Sequence, residues 1–84
     1  MESELNELEP KTTAFKILCY LTFKDTPLKP QNIARGLNIN SSTVRARLAE
    51  LKKKGLVTST NEGYRSAPTS YDILMKLFRG RSTD

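Results

Sequence analysis

The sequence predicts a mainly α-helical domain with a small β-hairpin: a three-helix core, then the hairpin, then a C-terminal helix. Three observations carry this. Apolar residues recur at helical spacing in three successive stretches between Pro10 and Lys54. Two short runs, Leu56 to Thr60 and Tyr64 to Ala67, flank the turn-type sequence Asn61-Glu62-Gly63, and a last helical pattern follows Pro68. A chain of 84 residues accommodates one small domain with short tails and is too short for a deep catalytic cleft plus a regulatory domain.

Residues 1–9 are polar and acidic, with Leu5 and Leu8 as their large apolar members, and read as a mobile or loosely docked tail. Acidic side chains ahead of a helix favour its positive end, and Pro10 suits a first helical position, so helix 1 is expected from Pro10 to Phe23. Ala14, Ile17, Leu18 and Leu21 make its inner stripe. Phe15, Cys19 and Phe23 form a second apolar row at i, i+4, i+8 that something else must cover.

Helix 2 is expected from Pro30 to Leu37, with Ile33, Ala34 and Leu37 facing inward, and Ile39 sits at the corner that follows. Asn40 caps helix 3 by accepting from the amide of Ser42 or Thr43, and Val44, Leu48 and Leu51 form that helix's inner stripe. The helix runs to about Lys54, where lysines complement its negative end and Gly55 supplies the left-handed stop. In the last helix, expected from Ser70 to Arg79, Thr69 and Asp72 stand at capping-box spacing and Gly80 reads as the stop. Tyr71, Leu74, Met75 and Phe78 make one face, and Ile73 and Leu77 another. Residues 81–84 read as a tail.

Ile33-Ala34, Leu37, Ser42-Thr43-Val44, Leu48, Leu51 and Gly55-Leu56-Val57 together resemble winged helix-turn-helix transcription regulators of bacteria and archaea, of the MarR/ArsR-like type. The resemblance covers Leu28 to Ala67 and rests on the combined spacing. It implies a winged helix-turn-helix fold in which helix 3 enters DNA and the hairpin is the wing. One departure is Lys29, where such sequences often carry Ser or Asp as the cap of helix 2.

Charge and residue chemistry point the same way. The net charge is +5, but the first nine residues hold four of the nine acids and none of the 14 basic residues, so the domain proper is far more basic than the chain. That balance fits a polyanion. Projected at 100° per residue, helix 3 turns Ser42, Ala46, Ala49 and Lys53 away from the inner stripe, flanked by Arg45, Thr43 and Glu50. Small side chains let a helix approach the floor of a major groove, and arginine offers a bidentate fork to guanine. Arg45 and Ala46 are therefore the candidate base contacts. Ser41, Ser42 and Thr43 at the helix start, with Gln31 at the start of helix 2, are candidate phosphate contacts, as is Lys53. Arg65 in the second strand is a candidate wing contact, although strand alternation does not say which face of the hairpin looks at DNA.

The expected partner is double-stranded DNA, bound sequence-specifically by a small transcription regulator. The alternative is a protein-interaction module, which would carry large apolar residues on the outer face of helix 3. The off-core residues Phe15, Cys19, Phe23, Ile73 and Leu77 are expected to form a homodimer interface, unless helix 4 packs across the Phe15 row within one chain. No histidine, no Gly-rich phosphate loop and a single cysteine give no catalytic constellation, no metal set and no expected cofactor. With no long apolar run and an acidic N-terminus, a cytoplasmic location is expected and membrane insertion is not.

Overall fold

The computed structural model describes residue 5 and residues 8–82, the side chains of 80–82 excepted. Among the described residues four helices, α1 (Thr13–Lys24), α2 (Pro30–Leu37), α3 (Ser41–Lys53) and α4 (Ser70–Ser82), accompany an antiparallel hairpin of β1 (Val57–Thr60) and β2 (Gly63–Ser66). This is the winged-helix arrangement the sequence predicts. The core lies where α1, α2 and α3 cross, with Ile17, Leu18, Leu21, Ile33, Val44, Leu48 and Leu51 fully buried and Leu56 and Val57 closing it from the hairpin side. Each such side chain contributes about 1.5–3 kcal/mol by leaving water.

Helix ends follow local chemistry. α1 begins after Thr12, not at Pro10, because the Thr12 hydroxyl accepts from the amide of Phe15 at 3.2 Å and donates to the Glu9 carbonyl at 2.7 Å. A side-chain cap outcompetes the proline as the starting point. α2 starts at Pro30 with Lys29 in the cap position and no side-chain cap bond, as the departure at Lys29 implied. Both α2 and α3 end in the same two-bond stop. Ile39 donates to Ala34 and Asn38 to Arg35 in the first; Leu56 donates to Leu51 and Gly55 to Lys52 in the second. α4 opens with the reciprocal Thr69–Asp72 box at 2.9 and 3.2 Å. It does not stop at Gly80 but continues to Ser82, since one glycine costs a helix only about 1 kcal/mol and no competing cap ends it earlier.

The hairpin is joined to the core by a pairing that strand patterning did not reveal. Leu28, between α1 and α2, exchanges both backbone hydrogen bonds with Tyr64 at 2.9 and 2.7 Å, adding a single-residue third rung to the two-stranded sheet. Gly63 makes this approach possible: its φ is +138°, and a Cβ there would run into the Leu28 backbone. On the α1 side, the hydroxyls of Thr22 and Ser66 lie 2.7 Å apart, with Thr22 also facing the Leu18 carbonyl and Ser66 the Pro68 carbonyl. Two protons serve three short contacts in a continuous chain from helix to strand.

Two expectations about apolar rows are corrected. Phe15 and Ile73, read as interface residues, are buried at 5% and 0% exposure within one chain, because α4 packs back along α1 and seats Ile73 in the core. The two apolar faces of α4 are thereby exchanged: Ile73 points in, whereas Tyr71, Leu74 and Phe78 stand exposed with Leu77 at their edge. The N-terminal segment is also less detached than its polarity implied. Leu5 and Leu8 are buried with the core, while Glu2, Glu4 and Glu7 lie outside the described residues.

The contrast between two glycines tests the hairpin geometry. Gly55, at φ +78° with open space around it, should lose only about 1–2 kcal/mol on substitution by Ala, the cost of a left-handed side chain. Gly63→Ala should lose more than Gly55→Ala, since the Leu28 rung must shift as well. Urea unfolding followed by circular dichroism measures both, and equal losses would remove the Leu28 contact as a constraint.

Candidate nucleic-acid interface

The outer face of α3 is built by the same residues that fix its inner face. With Val44, Leu48 and Leu51 held in the core, helical geometry turns Ser42, Arg45, Ala46, Ala49 and Lys53 into solvent. Arg45 and Lys53 make no hydrogen bond or ion pair among the described residues, so both cations are uncommitted. Ala46 and Ala49 leave the helix slim between them, and a slim helix of ordinary diameter enters a groove about 12 Å wide.

At the start of α3 the structure sorts the three hydroxyls. Asn40 Oδ1 accepts from the Ser42 amide at 2.9 Å and from the Ser42 hydroxyl at 2.6 Å. Ser42 has therefore committed both its amide and its hydroxyl proton to the cap. The half-buried Ser41 and Thr43 have no side-chain partner among the described residues, so their hydroxyl protons are uncommitted. Gln31 is exposed in the first turn of α2.

The lysine run after Leu51 is divided as well. Lys52 Nζ donates to the hydroxyl of Ser59 on β1 at 3.1 Å, tying the end of α3 to the hairpin, whereas Lys53 projects freely. Helical projection already sets Lys53 alone of this run on the outer face. Arg47 was not singled out by sequence. It is half-buried beside the inner stripe and pairs with Glu50 at 3.3 Å, while its Nε is out of solvent with no hydrogen-bond partner. This arginine serves the flank of α3 and not its outer face.

Strand register decides the side of the hairpin on which Arg65 lies. Val57 pairs with Ser66 and Ser59 with Tyr64 on the face reached by α1 and Lys52; Thr58 pairs with Arg65 on the other. Arg65 is exposed and lines a groove of about 530 Å³ with Asp25, Thr26 and Thr69. Neither Arg45 nor Lys53 lines this groove. Glu62 is exposed at the tip, so the turn itself carries negative charge.

A basic, slim helix presented by a helix-turn-helix and flanked by a hairpin defines a DNA-binding winged helix. Residues 11–58, more than half of the chain, match the family model described as winged helix-turn-helix DNA-binding, and the chain belongs to that family. The protein binds DNA. No curated protein and no solved structure matches the chain. Among the described residues no group of His, Cys, Asp and Glu could hold a metal ion, and no helix is long and apolar enough to cross a membrane.

Arg45→Ala should lower affinity for the best duplex recovered from a random pool by about 1–3 kcal/mol and relax preference at one base pair. Lys53→Ala should weaken all duplexes alike and reduce the salt slope by about one unit. Fluorescence anisotropy at several salt concentrations separates the two, and unchanged affinity in both variants would remove α3 as the recognition element.

Proposed function

We propose that the protein is a small transcription regulator that recognises a specific duplex sequence by laying α3 in the major groove and acts by occupying its operator. The observation that carries this is the composition of the α3 outer face. Among the described residues the exposed large hydrophobic ones are Phe23 on α1 and Tyr71, Leu74, Leu77 and Phe78 on α4, and none is on α3. A protein-interaction module using α3 would need such residues there. In this reading Arg45 and Ala46 meet base edges, while Ser41, Thr43, Gln31 and Lys53 hold phosphates. Arg65 touches the backbone beside the hairpin. The protein works by binding and not by catalysis, in the cytoplasm.

Titrating random-sequence duplex at two salt concentrations, followed by selection of the tightest binders, tests the specific part of the proposal. A selected duplex bound about 10³-fold or more tighter than the pool supports operator recognition. Selected and random duplex bound alike would leave only non-specific DNA binding.

A homodimer completes the proposal, through the α4 face and not through Phe15 or Ile73. Tyr71 and Phe78 are 68% and 63% exposed, with Leu74 and Leu77 beside them. Together they offer roughly 400 Å² of apolar surface, taking about 150–250 Å² for a whole aromatic side chain. With the polar surface that accompanies an interface of ordinary composition, two such faces bury roughly 1,300 Å², inside the range of specific association. Two copies so joined would address half-sites about one helical turn apart. Light scattering on the native chain should give twice the monomer mass, and Phe78→Glu should give the monomer mass with helical content unchanged. A native monomer at about ten micromolar would overturn the dimer and leave the DNA contacts of one copy standing.

A further inference from the structure

A serine facing a major groove is an ambiguous reader, because its hydroxyl both donates and accepts and so matches either kind of base edge. In this chain a neighbour removes the ambiguity at Ser42. The Ser42 amide donates to the Asn40 side chain at 2.9 Å, and a carboxamide accepts only through its oxygen, so Oδ1 is the atom turned toward Ser42. Oδ1 has no proton to give. The 2.6 Å contact between it and the Ser42 hydroxyl therefore carries the serine's own proton, and Oγ is left with lone pairs alone.

That oxygen lies on the outer face of α3. Ser42 is exposed, and at 100° per residue it shares a row with Ala46, Ala49 and Lys53, opposite the buried stripe. Ala46, one turn further on, ends in a methyl group, so the helix can come close enough for a side chain as short as serine to reach a base. Beyond Asn40, Ser42 Oγ has no hydrogen-bond partner among the described residues.

We propose that Ser42 is a specificity-determining residue that accepts a hydrogen bond from an exocyclic amine in the major groove, N6 of adenine or N4 of cytosine. The inference rests on the reading above that α3 lies in that groove. Adenine and cytosine alone display a donor there; guanine O6 and N7 and thymine O4 would set lone pairs against lone pairs. A phosphate oxygen, likewise without a proton, is no partner for Ser42 while the cap stands. Arg45 has the opposite polarity, since a guanidinium donates and never accepts. It stands three residues along α3, about 4.5 Å, against about 3.4 Å per base along a strand. One turn of helix thus asks for a base acceptor and a base amine within about two base pairs of each other.

The test uses the full chain and the tightest duplex selected from a random pool. Each adenine and cytosine near the pair read by Arg45 is replaced in turn by purine or pyrimidin-2-one, which lack only the exocyclic amine, and affinity is followed by fluorescence anisotropy. At one position loss of the amine should cost the native protein about fivefold, the worth of one neutral hydrogen bond, and should cost the Ser42→Ala variant nothing. Comparing the two proteins on the same duplex cancels the base pairing that the analogue also weakens. Ser42→Ala keeps the amide bond to Asn40 and changes an exposed side chain, so folding should survive. Asn40→Gly supplies a second variant, because glycine is tolerated at a helix cap. It frees the serine's proton for donation, so discrimination against guanine or thymine at that position should fall about twofold or more. The proposal is overturned if no amine is felt by the native protein and ignored by Ser42→Ala, if Ser42→Ala weakens all duplexes alike, or if Asn40→Gly leaves the preference unchanged. Should Arg45→Ala still relax its own base pair in that event, α3 remains in the groove and the role of Ser42 alone falls; should neither Arg45→Ala nor Ser42→Ala alter any preference, the placement of α3 falls with it.

Discussion

Everything functional in this molecule depends on the seating of one amphipathic helix. Val44, Leu48 and Leu51 of α3 are held against Ile17, Leu18 and Leu21 of α1 and Ile33 of α2, all of them at or near zero exposure. Burial of that stripe fixes the rotation of α3 about its own axis, and rotation decides which side chains a DNA duplex meets. A turn of 100° would put Val44 where Arg45 stands. The core is small, but it spends its apolar area where orientation matters most.

Orientation alone would leave α3 free to slide or pivot at its ends, and polar bonds prevent this. At the start, Asn38 takes a left-handed conformation to reverse the chain and Asn40 holds the backbone and hydroxyl of Ser42. At the finish, Gly55 closes the helix and Lys52 reaches Ser59. Along β2 the hairpin is anchored by the Leu28–Tyr64 rung and by the Thr22–Ser66 hydroxyl chain. Helix and hairpin thus move as one surface. A lone exposed hydrogen bond contributes little, but these are linked through a shared strand.

Charge is distributed in keeping with that geometry. The α3 outer face keeps Arg45 and Lys53 unpaired, while Arg47, one residue from Leu48 and half-buried, is neutralised by Glu50. On α1 the cations do a different job, lying over Tyr20 and beside exposed apolar surface. Cys19 sits there half-buried, and burial pushes its thiol above the ordinary range, which disfavours the reactive thiolate. Packing is the chemistry this cysteine supports.

Much of the fold was legible without coordinates because its signals are local. Helical spacing of Ile33, Val44, Leu48 and Leu51 specifies the helix-turn-helix, Asn40 and Thr69 mark caps, and Gly55 and Gly63 mark reversals whose backbone angles favour glycine. The outer face of α3 follows from the inner one by geometry, so Arg45, Ala46 and Lys53 could be placed on a surface from the sequence. What the sequence left open were relations between segments distant in the chain. Ile73 and Leu74 are equally apolar neighbours, and only the docking of α4 along α1 decided that the first is core and the second surface. Ser42 looked as available as Thr43 until the Asn40 side chain claimed both its donors. The side of the hairpin on which Arg65 lies was set by the register of two strands, and the Leu28 rung by the meeting of residues 36 positions apart. Periodicity reports which residues share a face; what that face meets is a property of tertiary packing, because burial is settled by neighbours that the chain supplies from elsewhere.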